Sequence, residues 1–434
     1  MPEPRRLMNR HFFLLWQGQL VSQVGSAVFG IAMMFWIKHA TGSATLMGLI
    51  AMVSALPMVI FGPIGGTFAD RHSRRLIIIY GDILRGLVNL SIAFLLFLAP
   101  GATEVTFIWL FVGSIIGGII MSFFNPAVTA SIPDLVPKDK IAPANSLNQF
   151  AVQVTSFLGQ GIGGLLYRVL GMPVLALFNG LTFLFSAISE TFITIPQEIP
   201  EKNGDLKETL SDFKQDLVEG MSYIWRRKGL RTLIFGFSVI NFFSIPIIIL
   251  FPFYVEDFLL ATSDWMGYLA AAFGLGAMGE YLFAGVVNFS GNTRKNLLVF
   301  CIIFEALLMV EFGLVLIPWV SLCVIFILGL CNGFLNIGIM TILQQSTPSV
   351  IRGRVFGLVG AITGGLAPIA MGLSGVLADL TGQNIPLIYI SCGVITFILT
   401  ATISFSTDFR RFLAFEPDEP VPENQTGLIP ASSE

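Results

Sequence analysis

Long apolar runs separated by short polar connections pattern this chain from residue 12 to residue 406. A helix that crosses a bilayer needs roughly 20 apolar residues. Twelve runs meet that length, at 12–37, 46–69, 76–98, 105–126, 148–170, 172–195, 230–255, 265–288, 296–316, 319–343, 355–379 and 385–406. The first run is long and lacks a small-residue cleavage site, so it is expected to remain as a spanning helix rather than be removed as a signal. The pattern changes in 196–229, where Leu206, Leu210, Phe213, Leu217, Met221 and Ile224 recur every three or four residues among acids and lysines. That spacing predicts an amphipathic helix lying along the membrane surface and tethering two bundles. From Asp408 onward the chain is acidic and proline-bearing, which predicts disorder. The expected organisation is therefore an N-terminus at 1–11, a six-helix bundle at 12–195, a linker at 196–229, a second six-helix bundle at 230–406 and an acidic tail at 407–434.

Composition removes the water-soluble alternative. The 434 residues are 54% hydrophobic and 12% charged, with a mean hydropathy of +0.80. A soluble domain carries about 25% charged residues, so the lipid bilayer is the expected surrounding. The net charge of −3 comes with no basic patch that would suit a nucleic acid. Cys301, Cys323, Cys331 and Cys392 all fall inside spans without a C-x-x-C pair, and read as small buried apolar residues. His11, His39 and His72 share no ligand spacing, so no metal site is expected. No phosphate-binding G-x-x-x-x-G-K-[ST] loop and no nucleophile–base pair stands out, which argues against an enzyme and against ATP-driven pumping by this chain.

The placement of positive charge sets the expected orientation. Of the 24 lysines and arginines, all but Lys38, Arg168 and Arg85 lie at one set of span ends. Cytoplasmic loops carry the excess of Lys and Arg, which puts both termini and the 196–229 linker in the cytoplasm of a cell bounded by this plasma membrane. The chain also repeats itself. A shift of 211 residues sets Gly118 on Gly329, Asn125 on Asn336, Pro137 on Pro348, Gly161 on Gly372 and Gly164 on Gly375. A shift of 219 sets Met47-Gly48 on Met266-Gly267 and Gly66 on Gly285. The expected fold is all-α, with two six-helix pseudo-repeats and a solute site near the midplane between them.

Several motifs narrow this further. The connection between the second and third spans reads Gly66-Thr67-Phe68-Ala69-Asp70-Arg71-His72-Ser73-Arg74-Arg75. It predicts a tight turn whose glycine lets two helices approach, with an acid placed to pair with guanidinium groups. The bland reading of the same loop is a topological anchor only. The spacing G-x-x-x-D-R-x-x-R-R resembles the loop 2–3 signature of the major facilitator superfamily of secondary transporters, with Ser73 in place of a second glycine. Phe124-Asn125-Pro126-Ala127, Ile132-Pro133-Asp134, Ala144-Asn145-Ser146-Leu147 and Arg352-Gly353-Arg354 resemble the branch that holds macrolide efflux pumps, enterobactin exporters and lysophospholipid transporters. The resemblance runs from about residue 10 to residue 406. It implies export of an amphipathic solute by alternating access, in many members by proton antiport, with no cofactor beyond the proton gradient. Lysophospholipid translocation is the close alternative, and a non-transporting receptor or scaffold the distant one. One departure concerns helix 5: Gln160 stands where drug antiporters carry a proline, and Thr155 where they carry the first glycine of the motif.

An ionisable residue inside a span is costly and is a functional candidate by default. Asp82 and Arg85 lie three apart at the start of the third span, and are expected to form a charge cluster with Asp70, Arg71, Arg74 and Arg75 that latches one state of the cycle. Glu190 lies near a span end and is expected to reach the interface. Glu280 and Glu305 lie deeper, where a carboxyl favours its neutral form and can load and release a proton; Glu311 ranks after them. In the fold that the resemblance implies, helices 1, 4, 7 and 10 line the cavity. They offer Gln19, Gln23, Asn125, Asn241, Phe243, Asn332 and Asn336 as hydrogen-bonding and ring contacts for an amphipathic small molecule bound by a monomer.

Overall fold

The computed structural model describes residues 6–197, 218–286, 291–348 and 351–415. Twelve crossings follow from its helices: α1 (Arg10–Thr41), α2 (Ala44–Arg71), α3 (Arg74–Leu98), α4 (Thr103–Leu135), α5 and α6 within Ile141–Thr191, α7 (Lys228–Ile249), α8 (Trp265–Val286), α9 (Gly291–Leu314), α10 (Pro318–Ser346), α11 and α12 (Ile385–Ser404). The helix Ile141–Thr191 is too long for one crossing. Its backbone reverses at Gly171, whose φ of 72° and ψ of 168° are open to glycine, and Pro173 restarts the chain as α6. The crossing α11 is likewise built in two parts, Arg352–Gly365 and Ala367–Leu380, broken at Leu366 before Pro368.

Each turn is closed by local chemistry. Asn9 caps α1 by accepting from the backbone N–H of His11 and Phe12, and Gly42 ends that helix in the left-handed region. Ser43 caps α2. Ser73, the residue that departs from the loop signature, caps α3 by accepting from the N–H of Leu76. Lipid-facing positions such as Phe94, Leu98, Val169, Trp319 and Phe405 leave large apolar side chains exposed around the belt.

Residues 6–197 form one six-helix half and residues 218–415 the other. They meet along α2–α11 and α5–α8. We call the ends that carry residues 6 and 415 the terminal face, and the opposite ends the far face. The buried core is forked. Toward the far face one cluster joins both halves, with Phe35, Met47 and Ile50 packed in the same core as Tyr254, Phe312 and Tyr389. Toward the terminal face it divides into two. Phe12, Phe124 and Ile132 belong to a cluster of the first half alone, and Ile234, Ile342 and Phe409 to a cluster of the second.

Two expected boundaries shift. A helix at 218–226 precedes α7, with Ile224 buried in the second half, so the end of the linker is part of that bundle. The segment expected to be disordered from 407 begins instead with a capped helix, α13 (Thr407–Leu413), whose Phe409 and Leu413 are buried. Its apolar residues lie four apart on one face and find the core, which acidic composition alone does not reveal. The amphipathic stretch through Leu206, Leu210, Phe213 and Leu217, and the tail beyond 415, lie outside the described residues.

Candidate functional site

Between the halves, the described hydrogen bonds and ion pairs gather at the far face. Lys38, at the end of α1, is 8% exposed and donates to Glu256 and Asp257, both at 2.8 Å, and to the Pro252 carbonyl at 3.2 Å. His39 sits 2.8 Å from Glu256 through Nε2 and 3.0 Å from the Tyr167 hydroxyl through Nδ1. Arg168 pairs with Asp264 at 3.0 Å. Asp379 of α11 accepts from the Ser43 hydroxyl at 2.7 Å and from the N–H groups of Ala44 and Thr45, so a carboxylate of one half caps α2 of the other. Burial pushes the Asp264 carboxyl up, but the Thr262 hydroxyl, its own backbone N–H and the Arg168 guanidinium outweigh that and hold it below the usual carboxylate range. A cavity of about 550 Å³ lies beside these groups, with Trp36, His39, Tyr167 and Glu256 in its wall. Sequence reading met Lys38 and Arg168 only as exceptions to the charge distribution. The signal that pairs them is the run of acids at the same ends, Glu256, Asp257, Asp264 and Asp379.

Toward the terminal face, Arg74 ties three helices together. It donates to Asp134 at 2.7 Å, to the Ala130 carbonyl at 2.9 Å and to Asp70 at 3.0 Å. Arg75 donates to the Thr191 carbonyl. Arg71 is half-buried and stands at the last residue of α2. The close helix approach expected at Gly66 falls one residue earlier. A Cβ on Gly65 would lie 1.8 Å from the Ser122 carbonyl oxygen, whereas one on Gly66 would meet nothing within 4 Å. A step of one residue turns a helix by about 100°, and that step decides which glycine faces α4.

Deeper in α3, Asp82 and Arg85 pair with each other rather than with Asp70 or Arg74 among the described ion pairs. Arg85 pairs with Asp82, and its guanidinium lies over the rings of Phe124 at 3.9 Å and Phe183 at 4.5 Å. Glu190, expected at the interface, is 1% exposed and accepts from the Gln19 amide at 2.8 Å. The α6 segment ends at Thr191 close against α1 and α3, so its last acid points into the bundle rather than past it. Gln19 is thereby buried against Glu190 within the first half. A second cavity, of about 300 Å³, lies in the first half, where Ser26, Phe29, Met33, Arg85, Asn89 and Asn179 line it. Asn89 and Asn179, bonded to each other at 3.0 Å, were not singled out from sequence. An amide within an apolar span was the available signal.

The remaining candidates scatter. Gln23 is half-buried and accepts from the Thr155 hydroxyl at 3.3 Å, so the threonine of the altered helix 5 motif bonds to α1. Asn125 is half-buried, Asn241 exposed, and Phe243 packs edge-on to Phe242. In α10 Asn336 donates to the side chain and carbonyl of Asn332, both at 2.9 Å, and Asn332 reaches Glu305 at 3.5 Å. The side chain of Glu280 lies outside the described residues.

The sequence profile of the Major Facilitator Superfamily matches residues 15–370. The chain belongs to this superfamily. Superfamily members are transporters rather than enzymes, and this one is a multi-pass membrane protein. Macrolide efflux protein A of Streptococcus pyogenes is 27% identical over 381 residues, covering 86% of this chain and 90% of that protein. The multidrug efflux pump Tap of Mycolicibacterium fortuitum is 24% identical over 376 residues, covering 84% and 88%. Among solved structures, a bacterial homologue of the iron transporter ferroportin in an inward-facing state superposes with a TM-score of 0.70 at 14% identity, covering 92% of this chain and 99% of that one.

Proposed function

We propose that this superfamily transporter exports amphipathic small molecules of the macrolide type by alternating access, driven by proton antiport. The observation that carries the substrate class is the likeness to macrolide efflux protein A over nearly the whole of both chains. The cavity in the first half sets two amides and a guanidinium among Phe29 and Met33, a lining that would suit one amphipathic portion of such a solute. The skew of Lys and Arg supports a terminal face in the cytoplasm of the plasma membrane. In that orientation the forked core and the far-face ion pairs describe an inward-facing state, sealed on the outside. The loop from Gly66 to Arg75, with Asp70 and the arginines at 71, 74 and 75, is then the proposed latch of the opposite state. Glu280 and Glu305 are the proposed proton carriers of the second half, and the working unit is a monomer.

The test is accumulation of labelled erythromycin in an efflux-deficient bacterium expressing the chain, with and without a protonophore. Accumulation several-fold below the empty-vector control, restored by the protonophore, is the expected result. Equal accumulation in cells with confirmed membrane expression overturns the macrolide assignment. Low accumulation that persists with the protonophore overturns proton coupling alone.

A further inference from the structure

About 12 Å in from the terminal face, roughly eight residues along α3 at 1.5 Å each, the first half buries two acids and one base. Asp82 is 0% exposed, Glu190 is 1% exposed, and Arg85 is the charged group beside them among the described residues. The surrounding elements contribute neutral groups. From α1 comes Gln19, from α4 Met121 and Phe124, and from α6 Ser186 and Phe183. The donors are spent unevenly. Arg85 reaches Oδ1 of Asp82, while Gln19 and Ser186 both reach Oε1 of Glu190. Oδ2 of Asp82 and Oε2 of Glu190 are buried with no donor among the described residues. Yet the two carboxyls face each other as neighbours, with Ser186 placed toward both of them.

Two ionised carboxylates in that position would leave both free oxygens desolvated beside a like charge, opposed by one guanidinium. A single proton between them removes the repulsion and supplies the missing donor, as in other carboxyl pairs that share a site. We infer that Asp82 and Glu190 together form a proton-binding site of the transport cycle, a site apart from Glu280 and Glu305. Arg85 connects it to the solute path. Its guanidinium holds Asp82 on one side and forms part of the wall of the 300 Å³ cavity on the other. A solute that draws Arg85 toward the cavity changes the charge facing the carboxyls, and a change in their protonation alters Arg85 in return; such coupling is reciprocal.

This inference rests on the proton-antiport reading, and its test separates the two. The first measurement uses purified full-length protein in detergent without solute, and reads the infrared carbonyl stretch of protonated carboxyl groups at neutral pH. If one proton is shared, Asp82→Asn and Glu190→Gln each remove the same band, because either remaining carboxylate is then matched by Arg85. Spectra of both variants that superimpose on wild type overturn the site whether or not the chain moves macrolides. The second measurement uses everted membrane vesicles and labelled erythromycin. Both variants are expected to lose at least tenfold of the accumulation driven by an acid interior, while keeping exchange of labelled for unlabelled erythromycin within about twofold, because exchange moves no net proton. Glu190→Asp, which keeps the carboxyl, is expected to shift the pH dependence of accumulation rather than abolish it. Retained gradient-driven accumulation in both variants overturns the coupling role. Wild-type vesicles that neither exchange nor accumulate erythromycin overturn the macrolide reading, and the infrared band still decides the proton site.

Discussion

Arg74 and Asp70 show how differently two members of one motif are placed. The Asp70 carboxyl is 66% exposed and its pairing with Arg74 joins residues four apart, so Asp70→Asn is expected to cost under about 1 kcal/mol of stability. Arg74 is 15% exposed and holds Asp134 and the Ala130 carbonyl as well, so Arg74→Ala takes the guanidinium from a partly buried carboxylate, at about 2 kcal/mol. Thermal unfolding of the two variants in detergent checks the ranking. A clear loss of stability in Asp70→Asn, larger than in Arg74→Ala, would contradict it. A variant Asp70→Asn that is stable, well expressed and transport-dead would be the mark of the proposed latch, since nothing in the present state asks much of that carboxylate. The motif was legible in the sequence because its spacing is specific. Which glycine carries the helix contact was not, because that depends on the rotation of α2 against α4.

At the scale of elements, α5 and α8 show what the internal repeat is for. The repeat sets Gly48 on Gly267 and Gly164 on Gly375. In the structure these glycines lie where a helix of one half touches a helix of the other. A Cβ on Gly267 would stand 1.8 Å from the Gly161 carbonyl oxygen, and one on Gly164 would stand 2.1 Å from that of Ser263. Backbone cannot yield as a flexible side chain can, so Gly267→Leu is expected to keep the far face from closing. The readout is a Ser26→Cys reporter in a background lacking Cys301, Cys323, Cys331 and Cys392, labelled from outside by a membrane-impermeant thiol reagent. Labelling several-fold faster in the glycine variant is expected, and an unchanged rate would show that the contact does not hold this end shut.

For the whole molecule, the two halves are joined at one end by charge as well as by apolar packing, and the charge has a defined pH range. A carboxyl held below its ordinary value contributes fully above that value and loses its contribution only as pH falls through the depressed one. Asp264 is such a group, so its pairing with Arg168 persists throughout the neutral range. The Asp264→Asn variant is expected to label faster than wild type at the same reporter. The margin should be constant from about pH 8 down to about pH 5, above the usual carboxylate range. A margin that closes within that interval would mean that Asp264 is not held as the geometry implies.

The sequence by itself determined the membrane class, the twelve spans, the two-half repeat and the superfamily. The class, the spans and the superfamily follow from local quantities: the length of apolar runs, the charge left over for a surface, and motif spacing within one loop. The repeat follows from matched positions at a constant shift. The sequence also marked Asp82 and Arg85 as neighbouring charges in one span and Glu190 as a charge near the end of another, without saying that Glu190 meets them. That meeting joins residues more than a hundred positions apart, as do the far-face contacts of Lys38 with Glu256 and of Ser43 with Asp379. No spacing rule encodes such contacts, because helix rotation and the crossing of α3 with α6, or of α2 with α11, decide which side chains face each other. Only the tertiary structure could turn Glu190 inward from the interface, move the tight glycine from Gly66 to Gly65 and fold α13 onto the core. In each case burial against a distant helix outweighed what the local sequence implied.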